Sequence, residues 1–381
     1  MKATVIPAVI ILLVLILTAC HFCEVGRHLD LAVSGAGDKT YPGYPRSIVD
    51  STGNNITIYK PLERIIVTNS NAAEAIRVVG AQDRVIGATD SLLWYPTFFP
   101  KMHKLPVVGR WSVVEPELVL QLDADCVFAY TSDPSPAYLE DKLPPTIKVI
   151  RFDFFKPETM REEMLKLGYI LDEEANTSKY IAWHDKYVDE INAKIATKTE
   201  AEKPIVFLNN DFDDSKTVRR TYARESGGIS ILCEEAGGIN IAADCIGAYP
   251  IINMEYIYEK DPDIIVGLSY LGGYERDDDS GMAQEYEIIL NLPGFDKIKA
   301  VEDKCIYIIS STIAYSPAYP CGLANMAKWF YPDDFVDLNP QAMHQEYVDQ
   351  FCGDLVLNVT EQGVFVYALY TIKNKGVMKN G

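Results

Sequence analysis

Histidine, the usual metal ligand and nucleophile partner, is sparse here and widely scattered. The five His residues stand at 21, 28, 103, 184 and 344; the chain contains no HxxxH or HExxH, and its one CxxC, Cys20-His21-Phe22-Cys23, falls at the end of the N-terminal apolar run. A zinc or manganese centre built from several His side chains therefore lacks its material. There is no GxSxG elbow, no Gly-rich phosphate loop after a strand, and no His near Ser226-Gly227-Gly228 to activate that serine, which removes the common hydrolase and nucleotide-binding chemistries. Basic residues are scarce as well. With 35 Lys and Arg against 54 Asp and Glu the net charge is −19, a surface that repels phosphate backbones and excludes a nucleic-acid groove. The acidic run Asp277-Asp278-Asp279 lacks the ligand spacing of a calcium loop and reads as solvated. No catalytic residue, bound metal or intrinsic cofactor is expected.

Long apolar runs are confined to the start of the chain. Ala8 to Ala19 is short of the roughly 20 residues that span a bilayer and follows Lys2, as in a signal peptide. Leu17-Thr18-Ala19-Cys20 is similar to a bacterial lipobox, with Cys20 the lipidated residue; an uncleaved anchor or an ordinary secretion signal is the alternative, and every version exports the domain. Residues 1–20 are thus expected to be signal peptide with lipobox, and residues 21–45 a flexible tether, rich in Gly, Ser and Pro from Gly35 to Pro45. Of the eight Cys, Cys126 lies in an apolar strand and reads as a small core residue, while a disulfide between Cys233 and Cys245 would close a Gly-rich turn.

What the chain does have is one element written twice. Glu117 to Val127 reads ELVLQLDADCV and Glu255 to Ile265 reads EYIYEKDPDII, in each case a short helix, an Asp, and a buried strand. One copy in each half implies two similar α/β lobes with a cleft between them. A hairpin at Gly53-Asn54-Asn55 opens the first lobe, and strands alternate with helices from Arg64 onward, which favours parallel sheets covered on both faces. Between the lobes, Glu158 to Ala196 lacks Pro and carries apolar residues at helical spacing, including Met160, Met164, Leu167 and Ile181. One long helix is expected here, with a possible break near Gly168. The resulting plan is an N-terminal lobe over 46–156, a connecting helix over 157–200 and a C-terminal lobe over 201–370.

Loops at the carboxyl ends of strands are where open α/β sheets bind ligands. In the first half those loops offer Asn69, Ser70, Asn71, Trp94, Arg110, Trp111, Tyr130 and Thr131, and in the second Asn209, Tyr222, Arg224, Tyr249, Tyr270 and Tyr315. Aromatic and neutral polar groups dominate, suited to a large, partly aromatic or chelating ligand. Arg110 beside Trp111 can pair with an anionic oxygen and stack on a ring. Arg219, Arg220 and Arg224 form a second cationic group, for which solvated surface charge is the plainer account. Glu117 and Glu255 are candidates for docking on two Arg clusters of a two-fold partner; each also favours the positive end of its own helix.

Taken in order, several segments resemble the substrate-binding lipoproteins of ABC importers for iron-siderophore, haem and cobalamin. They are Ile48 to Gly53 entering Pro61 to Val67, Asn69 to Glu74, Gly80 to Gly87, Gly237 to Ala242, Asp261 to Ile265, and Pro293 to Phe295 leading into Ala300-Val301. The resemblance runs from about Arg46 to Phe365, with Ala124 standing where the family's Pro-Asp pattern has Pro. It implies two Rossmann-like lobes with parallel-rich sheets and flanking helices, joined by a single long helix. It further implies a monomer lipid-anchored on the outer face of the membrane, ligand held in the cleft, and delivery to a permease dimer with its ATPase subunits. Glu117 and Glu255 match the positions that form salt bridges with the permease. An Fe(III)-siderophore is the expected ligand, on Arg110 and the Arg219 to Arg224 group, with cobalamin or haem as alternatives. A cell-surface sensory or adhesion module is the alternative of another class.

Overall fold

The computed structural model describes residues 41–210 and 217–369; Cys20, the lipobox and the tether up to residue 40 lie outside the described residues. The chain from Pro45 onward forms one unit. It starts with the expected hairpin of β1 (Arg46–Val49) and β2 (Asn55–Ile58). The Asp50 carboxylate, accepting the amides of Thr52 and Asn54 at 3.0 Å, holds its turn. β3 (Ile65–Val67), helix α1 (Ser70–Val78), β4 (Val85–Ala88), the small ribbon of β5 (Gly109–Arg110) and β6 (Val113–Val114), α2 (Pro116–Gln121), β7 (Cys126–Ala129) and β8 (Lys148–Arg151) complete the first lobe. Its main sheet is parallel, in the order β4-β3-β7-β8, and Ile65, Ile66, Val67 and Cys126 to Ala129 are all buried, as strands covered on both faces must be.

After the connector, the second lobe runs β9 (Ile205–Asn210), β10 (Val218–Arg220), α5 (Gly228–Glu235), β11 (Ile239–Asn240), β12 (Ile251–Asn253), α6 (Met254–Lys260), β13 (Ile264–Ser269), α7 (Ser280–Leu290), α8 (Lys299–Glu302), β14 (Ile306–Ser310), α9 (Ser311–Ala314), α10 (Tyr319–Phe330), α11 (Pro340–Phe351) and β15 (Val366–Tyr367). The sheet order is β11-β9-β13-β14-β15, with β15 antiparallel at the edge and the other pairings parallel.

The connector corrects the expectation of one helix over 157–200. It is an antiparallel pair, α3 (Pro157–Leu171) and α4 (Glu174–Ile195), joined where Asp172 turns left-handed at φ 60°, a conformation that Asp tolerates. Gly168 is not the break. It lies inside α3 where a Cβ would stand 2.0 Å from Thr177 Oγ1 of α4, so its bareness lets the two helices touch, and Arg161 pairs with Asp185 across them at 3.0 Å. The bridge between the lobes is α4. Near its start Arg84 of the first lobe binds Glu173 at 2.7 Å; further along, Tyr180 donates to the Pro317 carbonyl at 2.8 Å and His184 bonds Tyr319 at 2.7 Å, both in the second lobe.

The doubled element has a shared mechanism. Asp123 and Asp261 both follow their helix in left-handed conformation, at φ 48° and 40°. Two residues on, Asp125 accepts the Arg64 amide at 3.1 Å and Asp263 the Ile205 amide at 2.8 Å. Each carboxylate thereby fixes the head of the neighbouring parallel strand, β3 in one lobe and β9 in the other.

Candidate functional site

Between the lobes lies a cleft of about 1130 Å³, at the carboxyl ends of both main sheets. β3 delivers Asn69, Ser70 and Asn71, β7 delivers Tyr130, β10 leads to Tyr222, and β13 and β14 lead to Tyr270 and Tyr315; all face the cleft. Trp94, Arg110, Trp111 and Tyr249 join them on its walls. The Asn69 carboxamide is already engaged, accepting the Ala72 amide at 2.8 Å as the N-cap of α1. Asn71 joins the lobes: it accepts the Tyr130 hydroxyl and donates to the Tyr315 carbonyl.

A chain of rings crosses the cleft from one lobe to the other. Trp111 meets Tyr130 edge-on at 6.4 Å between centroids, Tyr130 meets Phe155 at 5.6 Å, and Phe155 meets Tyr315 at 5.6 Å; such spacings are those of favourable aromatic contacts. Burial holds the Tyr130 and Tyr315 phenols above their ordinary range, so each stays a neutral hydroxyl. At the mouth Trp94 is 75% exposed and Tyr270 50%. These are large apolar faces left open to solvent.

Three expected contacts are not on the cleft wall, each claimed by a partner distant in sequence. Thr131 donates its amide and hydroxyl to Asp153 at 3.0 Å. Asn209 is fully buried and accepts Nε–H of Arg219 at 2.9 Å. Arg224 points to the surface, paired with Glu234 at 2.9 Å and Asp244 at 2.6 Å. Of the second cationic group it is Arg220 that reaches the cleft. Among the described residues, neither its side chain nor that of Arg110 has a hydrogen bond or ion pair, so two guanidinium groups, one from each lobe, face the cavity.

The loop reading also missed Glu74, Tyr95, Phe98 and Phe155 on the wall. Glu74 lies a turn into α1 rather than at the strand end, and the aromatic residues look like core in one dimension. Glu74 is 4% exposed, and burial pushes its carboxyl up to about 7 against the pull of Arg77. The candidate docking residues Glu117 and Glu255 are exposed, each at the second position of its helix, α2 or α6. Among the described residues no cluster of His, Cys, Asp and Glu is arranged to hold a metal ion, and Cys126, Cys233, Cys245, Cys305, Cys321 and Cys352 are free thiols.

Two α/β lobes on a helical connector, with an aromatic cleft at their sheet ends, define a solute-binding protein. Residues 65–312 match the model of the periplasmic binding protein family, and the chain belongs to that family. Its fold is that of the TroA-like members: the periplasmic binding protein FepB from Veillonella parvula superposes with a TM-score of 0.72 over 85% of this chain and 99% of its own, at 24% identity. A cobalamin-binding protein of Halobacterium salinarum is 24% identical over 236 residues, and the chain spans 58% of that relative's length. The molybdate-binding protein MolA of Haemophilus influenzae is 23% identical over 339 residues, which is 80% of this chain and 90% of that protein. These relatives are solute-binding proteins, not enzymes. No helix among the described residues is long and apolar enough to cross a membrane.

Proposed function

We propose that this chain is the substrate-binding component of an ABC importer, working outside the cytoplasmic membrane on a lipid anchor at Cys20, and that it captures an anionic metal chelate, foremost an Fe(III)-siderophore, for delivery to a permease with its ATPases. The observation that carries the ligand class is the pair Arg110 and Arg220, contributed by opposite lobes to a cleft walled by rings. Guanidinium groups that pair with no carboxylate among the described residues match carboxylate or catecholate oxygens of a ligand, and they stack on aryl planes. The Tyr315 phenol, kept protonated by burial, adds a donor.

The relatives name other ligands, and size separates them. Molybdate is a small oxyanion that leaves most of a cleft of about 1130 Å³ unfilled. Cobalamin is the second reading, favoured by the cleft's volume and by the Halobacterium relative. Tryptophan fluorescence titration of the purified protein against ferric siderophores, haem, cobalamin and molybdate tests both, because Trp94 and Trp111 stand on the wall. A ferric siderophore should bind one-to-one, and Arg110→Met or Arg220→Met should each weaken it about 10- to 100-fold, the range of a lost charge-assisted hydrogen bond. Binding of cobalamin alone, indifferent to both substitutions, would move the assignment to the second reading; silence toward every chelate sinks it.

A further inference from the structure

At the back of the cleft a carboxyl group of the first lobe is held by the second. Glu74 sits on α1, and its Oε1 accepts the Tyr347 hydroxyl of α11 at 2.6 Å, with both residues buried. Ser316, just past α9, also faces it. One turn on, Arg77 lies 4.0 Å over the Phe98 ring and 3.7 Å from Asp354 of the second lobe. Phe98 in turn stacks on Tyr274 of the second lobe, 4.0 Å between centroids and 7° between planes. This contact adjoins α4, where Trp183 packs against Tyr347 at 5.2 Å.

We infer that Glu74 is a proton-binding site built into this junction, and that its protonation tightens the hold of one lobe on the other. The geometry sets the sign. Separating the lobes here admits water to a carboxyl that is otherwise desolvated, and water favours the ionised form. The joined state therefore binds the proton more tightly than the parted state, and by linkage acid favours joining.

The surroundings leave few competitors for that proton. Arg77 is the cation facing Glu74, and Asp354 offsets part of its charge. The other groups coupled to it are the phenols of Tyr95 on the loop before Phe98, Tyr180 on α4, Tyr274 and Tyr347, all held above their ordinary range by burial. The thiols of Cys321 and Cys352 are likewise held up by burial. All of these stay neutral through the acid and neutral range. With Glu74 near 7 when the lobes are joined and toward 4.5 when hydrated, joining is fullest below the lower value. It weakens as pH rises between the two, and levels off above the higher.

Hydrogen exchange on the ligand-free full chain, from pH 5.0 to 8.5 and corrected for intrinsic rates, reads this directly. Protection in residues 70–78, 95–99 and 340–354 should fall by up to about tenfold per pH unit until near pH 7 and then stay level, while strands 264–269 and 306–310 keep theirs. Glu74→Gln should abolish the step. Tyr347→Phe removes a hydrogen bond that favours the charged carboxyl, so it should move the levelling point to higher pH. A wild-type junction indifferent to pH, a step that survives in Glu74→Gln, or an unmoved levelling point in Tyr347→Phe overturns the inference. The inference concerns regulation of the proposed carrier's cleft, yet the readout uses no ligand, so its failure and the failure of the chelate assignment are separate results.

Discussion

The shape of the cleft depends on residues that present no side chain to it. Arg151, 1% exposed at the end of β8, braces the loop after β7 by donating to the Tyr130 and Pro134 carbonyls at 2.6 Å while it pairs with Glu140. Gly228 does the same work by absence. Its φ is 48°, and a Cβ there would lie 2.1 Å from the Tyr315 ring. Gly228→Ala is therefore expected to displace Tyr315 from the cleft and to lower stability by about 2–4 kcal/mol, from overpacking and left-handed strain together. Urea unfolding checks the stability and ligand titration the cleft. Adding Tyr315→Ala should return most of the overpacking share, and a neutral Gly228→Ala would mean that the ring is not seated there.

Between elements, packing and propensity make opposite forecasts at Gly168. Replacing a Gly inside a helix by Ala ordinarily gains about 1 kcal/mol, but here the new methyl falls 2.0 Å from Thr177 Oγ1, and overpacking of that kind costs about 1–3 kcal/mol. The close approach should win, so Gly168→Ala lowers the urea midpoint and Thr177→Ala beside it recovers part of the loss. The same pair of helices marks how far the sequence could be read. Their apolar spacing runs on from Glu158 to Ala196 because the reversal takes two residues, Asp172 and Glu173, and neither is a Gly or Pro. A one-dimensional pattern has no sign for that reversal. The buried parallel strands of the main sheets and the doubled helix-strand element were legible because such strands must be apolar and because Asp recurs where a strand head needs an acceptor. The cleft was legible where it is made of strand-end loops. It was not where the deciding partner is remote, as with Asp153 for Thr131, Arg219 for Asn209, and Glu234 and Asp244 for Arg224.

At the scale of the molecule, α2 with β7 and α6 with β13 give each lobe the same exposed carboxylate in the same local frame. Glu117 and Glu255 each stand in the first turn of a helix that closes on a left-handed Asp, followed by an Asp that ties the neighbouring strand. With that frame repeated in each lobe, the separation of the two carboxylates follows the separation of the lobes, and a two-fold partner bearing two cationic sockets would read it. Neither Glu has an ion pair or hydrogen bond of its own among the described residues, and neither lines the large cleft. If each served only its own helix terminus, its loss would cost well under about 1 kcal/mol of stability and nothing else. If they dock, Glu117→Lys with Glu255→Lys should leave chelate affinity and the urea midpoint nearly unchanged and cut uptake by cells at least about 30-fold. A buried interfacial charge left unpaired costs about 2–5 kcal/mol, and reversal adds repulsion. Each single reversal should fall between. Uptake measured beside binding in the same variants separates the cases: weakened binding puts the carboxylates in the cleft's service, unaltered uptake returns them to their helices, and intact binding with lost uptake makes them the molecule's two points of contact with its transporter.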